Sequence, residues 1–197
     1  MSVNVYTKTE VIRLAENLRR LANGELNFDL EIKATNEYTE EIAGQFRDIE
    51  ASLGDVKEVI GNLIADATTL TSAAIAGALE TRGDEGQFSG RWRELIGGMN
   101  SILEEISKPV QEVSRVMDGV SGGNLQELVT GTYQGAFDGL KQSVNNTVGV
   151  LKQVITEITY ITGQISEGNL NIGDAEAHPG DFGSVSRALN VIIETLN

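Results

Sequence analysis

Residues 137–170, FDGLKQSVNNTVGVLKQVITEITYITGQISEGNL, decide the fold of this chain. From Phe137, every seventh residue is apolar through Ile165. A second series with the same spacing, from Leu140 through Ile161, is apolar at three of its four positions. Two apolar positions in every seven, held over four heptads, predict a helix that packs along the narrow seam of a left-handed coiled coil.

The same pattern occurs in two upstream stretches that also begin at an aromatic residue. Of the 27 seam positions in the three stretches, only Pro109 and Thr147 are not apolar, against about 11 apolar positions expected by chance at 40% hydrophobic content. A fourth stretch begins near the end of the chain. The four aromatic landmarks are Phe46, Trp92, Phe137 and Phe182. The chain is therefore predicted to be all-α.

Short Gly-x-Leu motifs end the heptad stretches and make the pattern an internal repeat. The separation between the aromatic residue and the next motif glycine is identical in all three cases, which indicates a rigid element between them. The motifs are Gly24 with Leu26, Gly77 with Leu79, Gly123 with Leu125 and Gly168 with Leu170.

The connectors between successive helices are long for a simple hairpin. They run 22 residues from the motif glycine to the next aromatic residue in the first repeat and 14 or 15 in the others, whereas antiparallel helices are usually joined by two to eight. Fourteen extended residues reach about 46 Å, enough to double back along the preceding helix. The next helix is then predicted to run parallel to the last, with the motif leucine docked between the two.

Two parallel helices bury only part of their seams, so a second copy of the chain is expected to complete a four-helix bundle. The predicted partner is thus the chain itself, as a parallel homodimer. The first repeat is looser than the others. We expect Val11, Leu14, Leu18 and Leu21 to make up its first helix, and Ile42 to extend its second helix by one turn.

Charge and hydropathy disfavour several classes of partner and function. The formal net charge of -14 disfavours nucleic acid and anionic membrane surfaces as partners. No apolar stretch approaches the roughly 20 residues of a membrane-spanning helix. The chain ends inside an apolar-periodic segment without a stop signal, and we therefore expect a fragment of a longer protein.

The combination of helix, Gly-x-Leu, connector and second helix resembles the HAMP domain of histidine kinases, adenylyl cyclases and methyl-accepting chemotaxis proteins. The closest match is the fourth repeat, with Gly168-Asn169-Leu170 followed by Asp181-Phe182-Gly183. The resemblance implies tandem HAMP units in a parallel four-helix homodimer, with continuous helices linking successive units. We place the four units at residues 8–62, 63–108, 109–153 and 154–197.

The function implied by the resemblance is a signal relay in a methyl-accepting chemotaxis receptor, between an upstream sensor or transmembrane segment and a downstream signalling domain. We expect the chain to be the cytoplasmic portion of such a receptor and not an enzyme, without catalytic, metal or cofactor sites and without a small-molecule ligand. The alternatives are the stalk of a sensor histidine kinase or cyclase, and a purely structural coiled coil. Relay and packing roles are assigned to the motif glycines and leucines, to the four aromatic landmarks and to Pro109.

Several other residues have a structural and a functional interpretation. Pro109 is either a tolerated kink or a hinge between the second and third units. Thr147 is expected to hydrogen-bond to its own helix backbone. Asn100, Asn145 and Asn190 recur at one position of the repeat, and we expect them to pack against or cap the connector. The single histidine, His178, lies in a connector, where neither phosphorylation nor metal binding is expected.

Overall fold

The computed structural model describes residues 2–196, and within that range every regular element is helical. The five helices are α1 (Val3–Ala22), α2 (Glu40–Ile75), α3 (Gly90–Ser121), α4 (Gly135–Ser166) and α5 (Phe182–Leu196). A single 3₁₀ turn at Glu85–Gln87 interrupts the second connector. The predicted all-α class is confirmed.

The three long helices agree with the heptad stretches. They contain 36, 32 and 32 residues, and each is unbroken from a few residues before its aromatic landmark to two residues before the next Gly-x-Leu glycine. α2 begins at Glu40, which confirms that Ile42 lies in an added first turn. Pro109 is accommodated inside α3.

The motif glycines end the helices by adopting a left-handed conformation. Their φ angles are 78° at Gly24, 74° at Gly77, 81° at Gly123 and 77° at Gly168. At Gly123, the glycine N–H bonds to the carbonyl of Val120 and the next N–H bonds to that of Gly119, which is the Schellman pattern. The other three glycines make the same pair of bonds. Because this φ is unfavourable for any residue with a Cβ, the glycine is a backbone requirement.

The chain divides into two compact parts, Met1–Glu104 and Glu105–Asn197. In the first part, α1 and the start of α2 are parallel. The rings of Tyr6 and Phe46 meet edge to face with centroids 6.4 Å apart. Arg13, two turns further along α1, pairs with Glu50, one turn further along α2, at 2.9 Å. Since both residue numbers increase together, the two helices point the same way.

The first connector doubles back along α1, as predicted. Asp29 bonds to Asn17, whereas Lys33, four residues later, bonds to Glu10, which lies nearer the start of α1. Its apolar side chains reach α2: a Cβ added at Gly61 would meet Leu26 at 3.8 Å.

The rest of the first part repeats this arrangement with an apolar core. Leu70 of α2 and Ile96 of α3 are almost fully buried. Both converge on Gly83 of the connector, where an added Cβ would lie 2.8 Å from Ile96 and 3.1 Å from Leu70. Only glycine allows the connector to approach this closely.

The second part contains two further apolar clusters, each formed by two helices and the connector between them. The first comprises Val116, Val129, Val144 and Val148. The second comprises Ile161, Ala175, Leu189 and Ile193. In the third unit, Glu112 and Arg115 of α3 bond to Thr130 and Glu127, while Lys141 and Lys152 of α4 bond to Gly131 and Gln126. In the fourth unit, Glu157 and Gln164 of α4 bond to Glu176 and Asn169, while Gly183 and Asn190 of α5 lie against His178 and Ala175. In both units the connector runs opposite to both helices, so these helix pairs are also parallel.

The seam residues divide into a buried and an exposed set. Leu53, Leu70, Val116, Val144, Val154 and Ile161 are buried within the chain. Others stay 37–60% exposed: Ile49, Val56, Trp92, Leu95, Ile102, Leu140 and Phe182. Contacts between the helices of one chain therefore cover only part of each apolar stripe.

The predicted first helix is confirmed, but the stripe that it buries within the chain is not the apolar one. Val11 and Leu18 are about half exposed, and the buried stripe of α1 consists of Tyr6, Glu10, Arg13 and Asn17. Three of these four residues are polar: Arg13 bonds to Glu10, and Asn17 bonds to the backbone of Asp29 in the connector.

None of the described helices is long and apolar enough to cross a lipid bilayer.

Candidate functional site

In the last three units, an asparagine of the second helix holds the connector through its backbone. Its side-chain oxygen accepts the N–H of one connector residue, and its amide nitrogen donates to the carbonyl of that same residue. In the third unit both distances between Asn145 and Val129 are 2.9 Å. The other two pairs are Asn100 with Gly83 and Asn190 with Ala175. The predicted role of these asparagines in capping the connector is confirmed.

An acidic residue of the first helix holds the next connector residue from the other side. Glu112 accepts the N–H of Thr130 at 2.7 Å. The corresponding acceptors are Asp66 for the N–H of Asp84 and Glu157 for that of Glu176. We call the asparagine and the acid together the connector clamp. Because the clamp joins both helices to the backbone of the connector, neither helix can slide along it without breaking hydrogen bonds.

The acidic half of the clamp was missed by the sequence analysis, although it leaves a signal. Asp66, Glu112 and Glu157 each precede the motif glycine of their unit by the same number of positions, about three helical turns. An acid at a fixed distance from a helix end, on a face that is not exposed, indicates a carboxylate that accepts backbone N–H groups.

The clamp of the third unit is the most elaborate. Besides Thr130, Glu112 accepts hydrogen bonds from the N–H of Gly131 and, at 2.6 Å, from the hydroxyl of Tyr133. The hydroxyl bond and then the Thr130 N–H lower the pKa of Glu112 to about 2. Lys141 of α4 donates to the Gly131 carbonyl at 2.8 Å. The connector is therefore held by charged groups from both helices.

In the fourth unit, His178 of the connector contacts the acid of the connector clamp, Glu157. Its Nε2 lies 2.8 Å from Oε2 of Glu157, whose other oxygen accepts the Glu176 N–H. The histidine side chain is buried, and its backbone carbonyl touches Gly183, where an added Cβ would lie at 2.7 Å. Gly183 of the predicted Asp-Phe-Gly motif thus lets α5 begin against the connector.

In the first unit the polarity of the clamp is reversed. The position equivalent to the clamp acid is occupied by Arg13, which donates to the Asp29 carbonyl at 2.5 Å. Asn17, also on α1, makes the paired amide bonds to Asp29, at 2.7 and 2.9 Å. Arg13 is neutralised by Glu10 and Glu50, both buried.

The motif leucines behave differently from one unit to another. Leu125 packs on the third-unit cluster, and Leu26 and Leu79 are half-buried. Leu170 is 37% exposed, so its predicted docking between the helices was wrong for a single chain. Ile172 packs on the fourth-unit cluster instead, because the connector turns its next apolar side chain inward.

The other predicted positions are also distributed between core and surface. Phe46 is buried and Phe137 half-buried, whereas Trp92 and Phe182 are largely exposed. Pro109 is almost fully buried in α3. Thr147 bonds to the Ser143 carbonyl at 2.8 Å, which confirms the predicted bond to its own helix.

The clamps hold and orient helices, and their carboxylates serve as hydrogen-bond acceptors. Within residues 2–196, no group of three or more His, Cys, Asp or Glu side chains is arranged to bind a metal ion.

Comparison with known proteins agrees with this architecture. Residues 87–153 match the HAMP domain family, and this range includes the complete clamp of Glu112 and Asn145. A segment of 93 residues, 47% of the chain, is 28% identical to the methyl-accepting chemotaxis protein McpB of Pseudomonas aeruginosa. The aligned segment spans 14% of the length of McpB. Residues 87–153 are thus similar in sequence to a HAMP domain, and the same range contains two parallel helices joined by a connector that doubles back.

Proposed function

We propose that the chain is a signal relay of a methyl-accepting chemotaxis receptor. In this role it carries a conformational change from an upstream sensor or transmembrane segment to a downstream signalling domain, and it catalyses no reaction. The HAMP match and the similarity to McpB support this function, and the latter favours a chemotaxis receptor over a histidine kinase or cyclase. As in such receptors, we place the chain on the cytoplasmic side of the membrane.

The observation that carries the proposal is the continuity of the helices. α4 contains both the second helix of the third proposed HAMP-like unit and the first helix of the fourth, and α2 joins the first two units in the same way. A displacement of the clamped helices in one unit is therefore transmitted to the next along a single unbroken helix, which acts as a rigid rod. A purely structural coiled coil would not need clamped connectors at each step.

We further propose that the relay is a parallel homodimer. The exposed seam residues Trp92, Leu95 and Ile102 are separated by three and then seven residues on α3, and Leu140 starts the corresponding stripe on α4. Because contacts within the chain leave this apolar stripe exposed, it can pack against the same stripe of a second copy.

Cross-linking tests the dimer. The chain has no cysteine, so a Leu140→Cys variant carries one thiol per chain. We expect rapid disulfide formation under mild oxidation, giving a species of about twice the 21.2 kDa chain mass, because seam residues of a parallel pair face their own counterparts. A Gln142→Cys control, about 200° away around the helix, should cross-link slowly. Equal rates for the two variants, or a monomeric molar mass, would refute the parallel dimer.

An insertion tests the relay. We expect seven alanines inserted between Val150 and Leu151, in a receptor that contains this chain, to preserve part of the response to its stimulus. They lengthen α4 by two turns and restore the heptad phase. Seven glycines inserted there should abolish the response, because they interrupt the rod. The readout is the activity of the downstream signalling domain with and without stimulus. A response that survives the glycine insertion undiminished would rule out transmission through α4.

A further inference from the structure

The first unit differs from the other three in the interface between its helices. Seven residues before the motif glycine, the later units have Leu70, Val116 and Ile161, all buried, whereas the first unit has Asn17. At the clamp position, one turn earlier on the same helix, an acid is replaced by Arg13. Next to its apolar cluster of Tyr6, Ala43 and Phe46, the first helix pair is thus held by buried polar groups, with a cation at the position where its counterparts have an acid.

Two buried carboxylates share one guanidinium in this interface. Nη2 of Arg13 lies 2.6 Å from Oε2 of Glu10 and 2.9 Å from Oε1 of Glu50. Glu10 is fully buried, and Glu50 and Arg13 are 5% and 8% exposed. With all three groups ionised, one negative charge is left uncompensated in a region of low dielectric constant.

Glu50 is the less well satisfied of the two carboxylates. Glu10 accepts hydrogen bonds from Arg13 and from the N–H of Lys33. Glu50 contacts Arg13 at 2.9 Å, and within residues 2–196 its two oxygens accept no further hydrogen bond. The charged groups that act on Glu50 are Arg13 and Glu10 from α1 and Asp29 from the connector.

We propose that Glu10, Arg13 and Glu50 form a proton-linked switch that loosens the first helix pair as the pH rises. When Glu50 binds a proton, the cluster has one carboxylate for one guanidinium, and its net charge is zero. When Glu50 loses that proton, a second negative charge is buried beside Glu10. The interface between α1 and α2 is then the least stable in the chain, and α1 separates more often.

The direction of the effect follows from burial. Desolvation raises the pKa of Glu50 above its ordinary value of 4.5. A carboxyl group with a raised pKa in the folded state stabilises that state below pH 4.5, and the stabilisation is lost as the pH rises through the raised value. Any effect on signalling rests on the proposed relay, but the change in local stability does not.

Hydrogen exchange of the full chain, corrected for the intrinsic rate at each pH, measures this stability. We expect the protection of α1 amides to fall about tenfold or more between pH 5 and pH 8, while α5 changes less. In a Glu50→Gln variant, which cannot lose a proton there, the protection of α1 should remain high at both pH values. A Glu58→Gln variant, exposed on the same helix, should behave like the unmodified chain.

Three results would overturn the proposal. They are an α1 protection that does not fall with pH in the unmodified chain, a fall that persists in Glu50→Gln, and a Glu50→Gln chain with weaker protection at both pH values. Because the measurement needs neither a receptor nor a stimulus, it gives the same answer whether or not the relay function is correct.

Discussion

An Arg13→Met chain is expected to lose about 3–5 kcal/mol of its free energy of unfolding in the first helix pair. Methionine fills a similar volume, but it leaves Glu10 and Glu50 buried without their shared cation. It also leaves the Asp29 carbonyl without the hydrogen bond from the guanidinium. Chemical denaturation followed by circular dichroism measures the loss, and hydrogen exchange locates it in α1.

An Arg19→Met chain is the matched control. Arg19 also pairs with a glutamate on α1, at 2.7 Å, but its side chain is 66% exposed. Removing such a pair costs at most about 1 kcal/mol. Acid should reduce the deficit of Arg13→Met, because protonation of Glu50 removes one of the buried charges that lack a partner. The deficit of the control should stay small at every pH. Equal losses in the two variants would mean that the cluster contributes no more than a surface ion pair.

A Glu112→Gln chain is expected to lose about 1.5–3 kcal/mol at neutral pH, the usual contribution of hydrogen bonds to a charged group. The carboxylate accepts bonds from Tyr133, Thr130 and Gly131, and an amide side chain has one acceptor oxygen in place of two. The denaturant midpoint of the second part of the chain, Glu105–Asn197, reports the loss.

The pH dependence makes this prediction specific. The pKa of Glu112 is lowered from 4.5 to about 2, so its stabilisation is complete above pH 4.5 and is lost as the pH falls toward 2. The stability difference between the unmodified chain and Glu112→Gln should therefore shrink in the same range. A Glu105→Gln control, with its carboxylate 71% exposed on the same helix, should show a small difference at every pH. A difference of constant size between pH 7 and pH 2 would contradict the assignment of Glu112 as an ionised anchor.

The Glu112 and Arg13 variants test two forms of the connector clamp in which the roles of donor and acceptor are exchanged. In the third unit a carboxylate of the first helix accepts N–H groups of the connector, and in the first unit a guanidinium at the same position donates to a connector carbonyl. The carboxylate needs no counter-ion because backbone dipoles and a hydroxyl stabilise it. The guanidinium is balanced by two buried glutamates, and burial raises the pKa of one of them, Glu50, so we expect the stability of the first unit to fall as the pH rises.

The candidate site was predictable where a residue recurs at constant spacing. Asn145 and its two counterparts were identified from their recurrence, and their contact with the connector follows from the length of that connector. Glu112 was overlooked because acids are common on exposed helix faces, and only its partners distinguish it. His178 has no counterpart in the other units, so no repeat indicated its bond to Glu157.

The sequence by itself determined where the helices lie, where they end and that successive helices run parallel. These depend on local physics: the heptad period, the left-handed glycine at each helix end and a connector long enough to return. Only the tertiary structure decided which of two adjacent stripes on α1 is buried. Arg13 is tolerated in the interior because Glu10, Glu50 and the Asp29 carbonyl converge on it from three separate segments, and such convergence leaves no trace in the local pattern.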